Sequence, residues 1–349
     1  MLSAATIPPD CPSEAHVLAP ALFVPGAWEE AYRDAVNAAS VLRQIIARGR
    51  EERRAAPLDL YGVLFALFGI ASGRDADLPV AAATGRFDLP QESADGGWVR
   101  ADPVHLRPDM GKLLLYGAPT LALTTEEAVR LAEEINSVLV EEGLRVLVGR
   151  DPGRWYLHLN SVPAIKTFPP TAASGQHIDP FLPGGPDARQ WHRLANDIQM
   201  MLHRSPLNAA REARGEPAVN SVWFWGCGAL PPLRSSWTVV VTDFPTAAGL
   251  AMAAGTPCAE PAPLHPPAAG RSLCVPSLGH DDLLRGDAGA WREQVQALDS
   301  VYLAPLLAAV RRGTLAAITI HLPGAAYTLR RRDLWRIWRQ HLPRLTASP

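Results

Sequence analysis

The sequence predicts a mixed α/β protein with a helical N-terminal region, and three observations carry that expectation. Before Gly97 the periodic segments are helical. From Trp98 onward, short apolar segments rich in β-branched residues alternate with helical patterns. A loop rich in Pro and Gly over 163–186 divides this alternating part into two halves. The expected organisation is a Pro/Ala-rich start and helical region over 1–97, a first α/β half over 98–162, the loop 163–186, and a second α/β half over 187–349 that ends in an amphipathic helix.

Each element follows from local chemistry. Pro8, Pro9, Pro12, Pro20 and Pro25 exclude a continuous helix at the start. A helix is expected over 30–54, and a buried one over 58–69, led by Pro57 and closed by Gly69 and Gly73. A loop-like stretch follows to Gly97. Strands are expected over 98–106, 112–116, 144–148 and 154–159. The stretch 124–142 reads as a helix with Thr124 or Thr125 at its N-cap, acidic residues in its first turn and Gly143 at its end. The second half reads as helices 187–203 and 205–214, strands 218–225 and 237–242, helix 245–254, a Pro-rich linker 257–267, helix 291–312, strands 315–321 and 325–329, and a last helix 331–341.

With 349 residues, 48% hydrophobic and 19% charged, the chain can bury a large core and reads as globular. A net charge of −2, with arginines interspersed among acidic residues, gives no basic patch and no expectation of a nucleic-acid partner. The first basic residue is Arg33, so a secretory signal is not expected, and the longest apolar run, 62–71, is about half of what a bilayer requires. Cys11, Cys227, Cys258 and Cys274 show no metal-ligand spacing. A cytoplasmic protein without membrane insertion is the expectation.

The densest functional signal runs from Asn196 to Gly228. Gln199 and His203 share one helix face; beyond Ser205-Pro206, Asn208, Arg211 and Arg214 share another, and Asn220 and Gly226-x-Gly228 flank the following strand. Arginines on a helix that starts beside a histidine suit a phosphate or carboxylate. The same arginines could instead pair with Glu212 or Glu216. Trp223 and Trp225, two apart on that strand, read as core. Asp102, His105 and Arg107 lie on an earlier strand, where an Asp/His pair could bind metal or move protons. Asp243 closes a strand, as a metal-binding carboxylate or as the cap of the next helix. His280 adjoins Asp281 and Asp282 at what reads as a helix start. His321 ends a strand with no visible partner. No GxSxG or HExxH motif occurs.

The motifs ADPVHLR, GRWYLHL, HRSPLNAAREARG leading to AVNSVWFWGCG, and the terminal RRRDLWRIWR resemble the RpfE-type regulatory proteins of proteobacteria. Through the segment bearing Asn208 and Arg211 and through VVVTDFPTAAGLAMAAGTP, the chain is also similar, more distantly, to archaeal-type cofactor-independent phosphoglycerate mutases of the alkaline-phosphatase-like superfamily. The resemblance implies a mixed sheet sandwiched by helices, alkaline-phosphatase-like in part, with Asp243 at the end of a core strand. It departs where those mutases carry an N-terminal Asp-Gly, a Ser or Thr nucleophile and a set of Asp and His ligands for two metals: here the first reads ALFVPGAW, and no TGDH-like run follows. The expectation is a non-catalytic regulatory or ligand-binding protein without a cofactor, holding a small anionic metabolite through His203, Asn208, Arg211 and Asn220. Two alternatives stay open: a phosphoryl-transfer enzyme using Asp102, His105 and Asp243, with His280 or His321 as a further candidate, and Mn or Zn, and a module that binds a protein partner through its C-terminal helix.

Overall fold

The computed structural model describes residues 13–71, 77–92, 96–109, 111–174, 176–261 and 269–339. Cys11 and the end of the expected last helix lie outside them. Among the described residues there are twelve strands: β1 (Glu14–Val17), β2 (Arg50–Arg53), β3 (Gly97–Asp109), β4 (Lys112–Tyr116), β5 (Val146–Val148), β6 (Trp155–Leu159), β7 (Ser221–Gly228), β8 (Val239–Thr242), β9 (Cys258–Ala259), β10 (Arg271–Val275), β11 (Ala317–His321) and β12 (Ala325–Arg330). The residues group into two units. The first comprises Met1–Gly69, Leu233–His280 and Ala288–Pro349; the second comprises Ile70–Pro232 and Asp281–Asp287. These units interleave along the chain, whereas the boundaries read from the sequence at 97, 162 and 186 run in chain order.

The first unit is built on a seven-stranded sheet of order β2-β12-β11-β1-β10-β8-β9. The strands from β11 to β9 are parallel, and β12 and β2 run antiparallel to their neighbours. Parallel strands covered by helices bury both faces, which is why β11 is buried throughout. Helices Ser40–Arg48, Pro245–Ala253 and Ala304–Arg312 pack on β12, β8 and β11. Four strands, β1, β2, β9 and β10, are absent from the sequence expectations. The expected helix 30–54 is instead two helices, Glu29–Ala38 and Ser40–Arg48, broken at Ala39, whose ψ of 92° is extended. Asp299 caps the second one, accepting from the backbone N–H of Val41 and Leu42 at 3.2 and 2.7 Å. The residues beyond form the charged strand β2. Expected helix 291–312 contains a π-helical turn, Leu298–Leu303, just before Pro305, which has no N–H to continue the ladder. The expected last helix is, among the described residues, a single 3₁₀ turn, Arg331–Trp335.

The second unit has an antiparallel sheet in which the long β3 pairs with β6 and β7 through its first half and with β4 through its second. Helices Thr125–Leu139 and Ala188–Leu202 bury Leu131, Ile135, Trp191 and Ile198 against Val99, Leu157, Val222 and Phe224. Helix Val80–Asp88, expected as loop, packs Ala81 and Ala82 with Trp98 and Tyr156. Of the two expected N-cap residues it is Thr124 that caps the helix, in a capping box with Glu127. The mixed α/β class with helices flanking the sheets is therefore observed. No helix among the described residues is long and apolar enough to cross a membrane.

Candidate functional site

The residues singled out around Arg211 are brought together, but by the protein's own groups. Arg211 is 1% exposed. Its Nε donates to Pro217 O, Nη1 to Glu127 Oε2 at 2.7 Å and Nη2 to Leu121 O. Arg214 pairs with Glu127 and Glu216 at 2.7 and 2.6 Å. Asn208 donates to Leu202 O and Val219 O and accepts from Val219 N, while Asn220 exchanges two hydrogen bonds with the backbone of Leu106. Gln199 and His203 are exposed on the helix outside this network. The expected anion set is thus a bracket that fastens the helix Pro206–Ala213 and β7 to their neighbours. A buried guanidinium needs several fixed acceptors, and Glu127 with two backbone carbonyls supplies them.

Asp102 is likewise structural. Its Oδ1 accepts from Arg100 Nε and Nη2 at 2.8 and 2.7 Å, and its Oδ2 from Trp225 Nε1 at 2.7 Å. The Arg100 guanidinium lies between the rings of Tyr156 and Trp225, 5.0 and 5.2 Å from their centroids. His105 bonds Ala218 O through Nδ1 at 2.9 Å and does not meet Asp102, because adjacent strand residues face opposite ways and these two are three apart.

Asp243 stands at the C-terminal end of β8, as the resemblance implies, but it is not the cap of the following helix: Thr242 Oγ1 receives Phe244 N. Both Asp243 oxygens accept from Ser277, from N at 2.6 Å and Oγ at 2.8 Å, tying β8 to the loop after β10. His280 lies edge-on to Phe244, with ring centroids 5.2 Å apart.

His321 gains the partner that the sequence does not show. Strands β1 and β11 are adjacent and parallel with His16 opposite Thr319, so His321, two residues on, presents its ring to the same face. His16 Nδ1 and His321 Nε2 are 3.0 Å apart, and both residues are buried. A guanidinium stands at each end. Arg271 Nη2 is 3.4 Å from His16 Nε2, and Arg54 Nη2 is 3.4 Å from His321 Nδ1. Trp237 holds one end: Arg271 lies 4.5 Å over its ring, His16 meets it edge-on, and its Nε1 is anchored on Leu67 O. Glu14 Oε2 is 3.9 Å from His16 Nε2 and 3.8 Å from Arg271 Nε.

Burial, then Arg271, lowers His16 to about 4. Burial, then His16, Arg54 and Arg271, holds His321 well below its ordinary value. Both rings are therefore neutral near pH 7, and the net charge of the cluster comes from its arginines and Glu14. Sequence reasoning missed Glu14, His16, Arg54 and Arg271. The alternation of Glu14 and His16 in EAHV was the available signal, hidden by the shortness of β1.

The histidine pair and Asp243 are each engaged with other groups of the protein. Two imidazole nitrogens face each other, guanidiniums repel a dication from the other two, and Asp243 is taken by Ser277. Among the described residues no group of three or more His, Cys, Asp or Glu is placed to hold a metal ion.

No protein-family model matches the chain. It is 31% identical over 163 residues to a 2,3-bisphosphoglycerate-independent phosphoglycerate mutase of Methanosarcina mazei, a match covering 44% of this chain and 39% of that protein. The mutase of the same name in Methanosarcina acetivorans is 30% identical over 167 residues, covering 45% and 40%. The chain thus spans under half the length of the curated relatives it matches. Among solved structures, the PH0037 protein from Pyrococcus horikoshii aligns over 93% of this chain and 92% of its own with a TM-score of 0.53 and 12% identity, a likeness of fold. The cofactor-independent phosphoglycerate mutase from Thermoplasma acidophilum covers 91% and 90% with a TM-score of 0.42 and 16% identity.

Proposed function

We propose that this chain, distantly similar to cofactor-independent phosphoglycerate mutases, is a regulatory, ligand-binding protein of the RpfE type that holds a small phosphate- or carboxylate-bearing anion rather than transferring a phosphoryl group. The observation that carries the reading is the pair of arginines at the two ends of the neutral His16–His321 pair. Guanidiniums with donors left over after their protein contacts favour oxyanions through charge-assisted bonds. The occupied carboxylate of Asp243 and the positive borders of the histidine pair work against a dication, and the retained motifs of the regulatory family support a binding role.

The test is a thermal-shift titration with inorganic phosphate and with phosphoglycerate, run beside a mutase assay in Mn²⁺ or Zn²⁺. Phosphate is expected to stabilise the protein by about 2.7 kcal/mol at one hundred times its Kd. Arg54→Ala and Arg271→Ala should each reduce that stabilisation. Metal-dependent interconversion of phosphoglycerates, abolished by Asp243→Asn, would return the chain to the phosphoryl-transfer enzymes.

A further inference from the structure

The four side chains of this cluster form a line whose hydrogen bonds cannot all be made at once. Arginine has donors only, and a neutral imidazole has one donor and one acceptor. The contact between His16 Nδ1 and His321 Nε2 holds one proton, so the two rings must carry the same tautomer. If both are protonated on Nε2, Arg54 donates to His321 Nδ1 and His321 donates to His16. His16 Nε2–H then faces the donor Nη2 of Arg271, 3.4 Å away. If both are protonated on Nδ1, the line runs the other way: Arg271 donates to His16, His16 donates to His321, and His321 Nδ1–H faces the donor Nη2 of Arg54, also at 3.4 Å.

The two ends differ in what can resolve the conflict. At the His16 end, Glu14 Oε2 lies 3.9 Å from His16 Nε2 and 3.8 Å from Arg271 Nε, an acceptor supplied by the protein that needs a small side-chain movement to serve both. At the His321 end Arg54 meets, besides the imidazole itself, the carbonyl Leu322 O, on Nε at 3.4 Å, and no carboxylate takes the place that Glu14 has at the other end among the hydrogen bonds and ion pairs of the described residues. One oxygen about 2.8 Å from each of two nitrogens 3.4 Å apart closes a triangle there.

We propose that the histidine pair is a reversible tautomeric relay, terminated by Glu14 in the free protein and by one oxygen of a phosphate or carboxylate between Arg54 and His321 in the liganded one. This rests on the anion-binding reading above and deepens it by placing the ligand at the Arg54 end and by giving it an effect at the other. On reversal, the proton on His321 Nε2 passes to His16 Nδ1, His16 Nε2 releases one to water, and His321 Nδ1 takes one from water. No net proton is bound. Glu14 thereby ceases to accept a hydrogen bond from His16 Nε2–H, and Arg271 comes to donate one to His16 Nε2, so occupancy at one edge of the face is read at the other.

The experiment uses the full chain labelled with ¹⁵N-histidine, titrated with inorganic phosphate at pH 7.5, reading ring nitrogen shifts. The expected result is Nε2–H on both His16 and His321 without phosphate and Nδ1–H on both at saturation. Glu14→Ala, at a partly exposed side chain, should lose the preference for Nε2–H without phosphate, giving a mixture of the two tautomers, and bind phosphate more tightly. Phosphate binding that Arg54→Ala abolishes, with tautomers unchanged, would overturn the relay and leave the anion site standing. Failure of phosphate to bind at all would overturn both.

Discussion

His16 links the cluster to stability. In the folded chain its pKa is lowered to about 4 by burial and by Arg271, whereas an unfolded histidine titrates near 6.5. Between those values the unfolded chain binds more protons, so the contribution of the neutral ring is complete above the unfolded value and is lost as pH falls toward 4, a change on the order of 3 kcal/mol. Denaturant midpoints at pH 7 and pH 5 should show about half of this loss, and His16→Gln should shrink the difference; an unchanged difference would place the acid sensitivity elsewhere. The residue scale is also where the sequence was least legible. Spacing marked Asn208, Arg211 and Asn220 as unusual, and they are. It could not show that Arg211 meets Glu127 and Leu121, 84 and 90 positions away, or that His321 meets His16 at a separation of 305.

Elements with an apolar stripe or a run of large apolar residues were readable, whereas a helix of small buried residues and a very short strand were not. Helices Thr125–Leu139 and Ala188–Leu202 carry apolar stripes and end signals, and they formed close to the expected limits. Helix Val80–Asp88 is buried from Val80 to Gly85, so its alanines show no stripe, and β1 is four residues among prolines. The glycines of β7 have a structural cause of their own. Gly226 has φ +65°, its N–H donates to Thr167 Oγ1, and a Cβ there would lie 2.8 Å from Val80 Cβ. Gly226→Ala therefore combines a left-handed alanine with overpacking against a helix, and should cost roughly 2–4 kcal/mol. Gly215→Ala, at φ +76° with nothing within 4 Å, should cost about 1–2 kcal/mol. Equal losses in urea unfolding of the two variants would show that the approach of Val80 does not matter.

At the scale of the whole molecule, chain order and packing part company, which is why boundaries read from composition do not describe the units. Five of the seven strands of the first sheet come from residues beyond 232, whereas the sheet of the second unit lies wholly within 70–232. A fragment of residues 70–232 should fold alone with a cooperative thermal transition, and a fragment ending at residue 69 should not; circular dichroism of both decides. The class of fold was legible because alternating strands and helices leave a local trace, while the return of β8 to β12 beside β1 leaves none. The borders of that sheet carry a last consequence. On one side β2 is Arg-Glu-Glu-Arg, exposed at every residue; on the other, β9 is two residues long. A strand from another molecule would have to strip water from four charges at one border and would find almost no backbone to pair with at the other, so the sheet is guarded against growth into fibrils or edge-joined polymers.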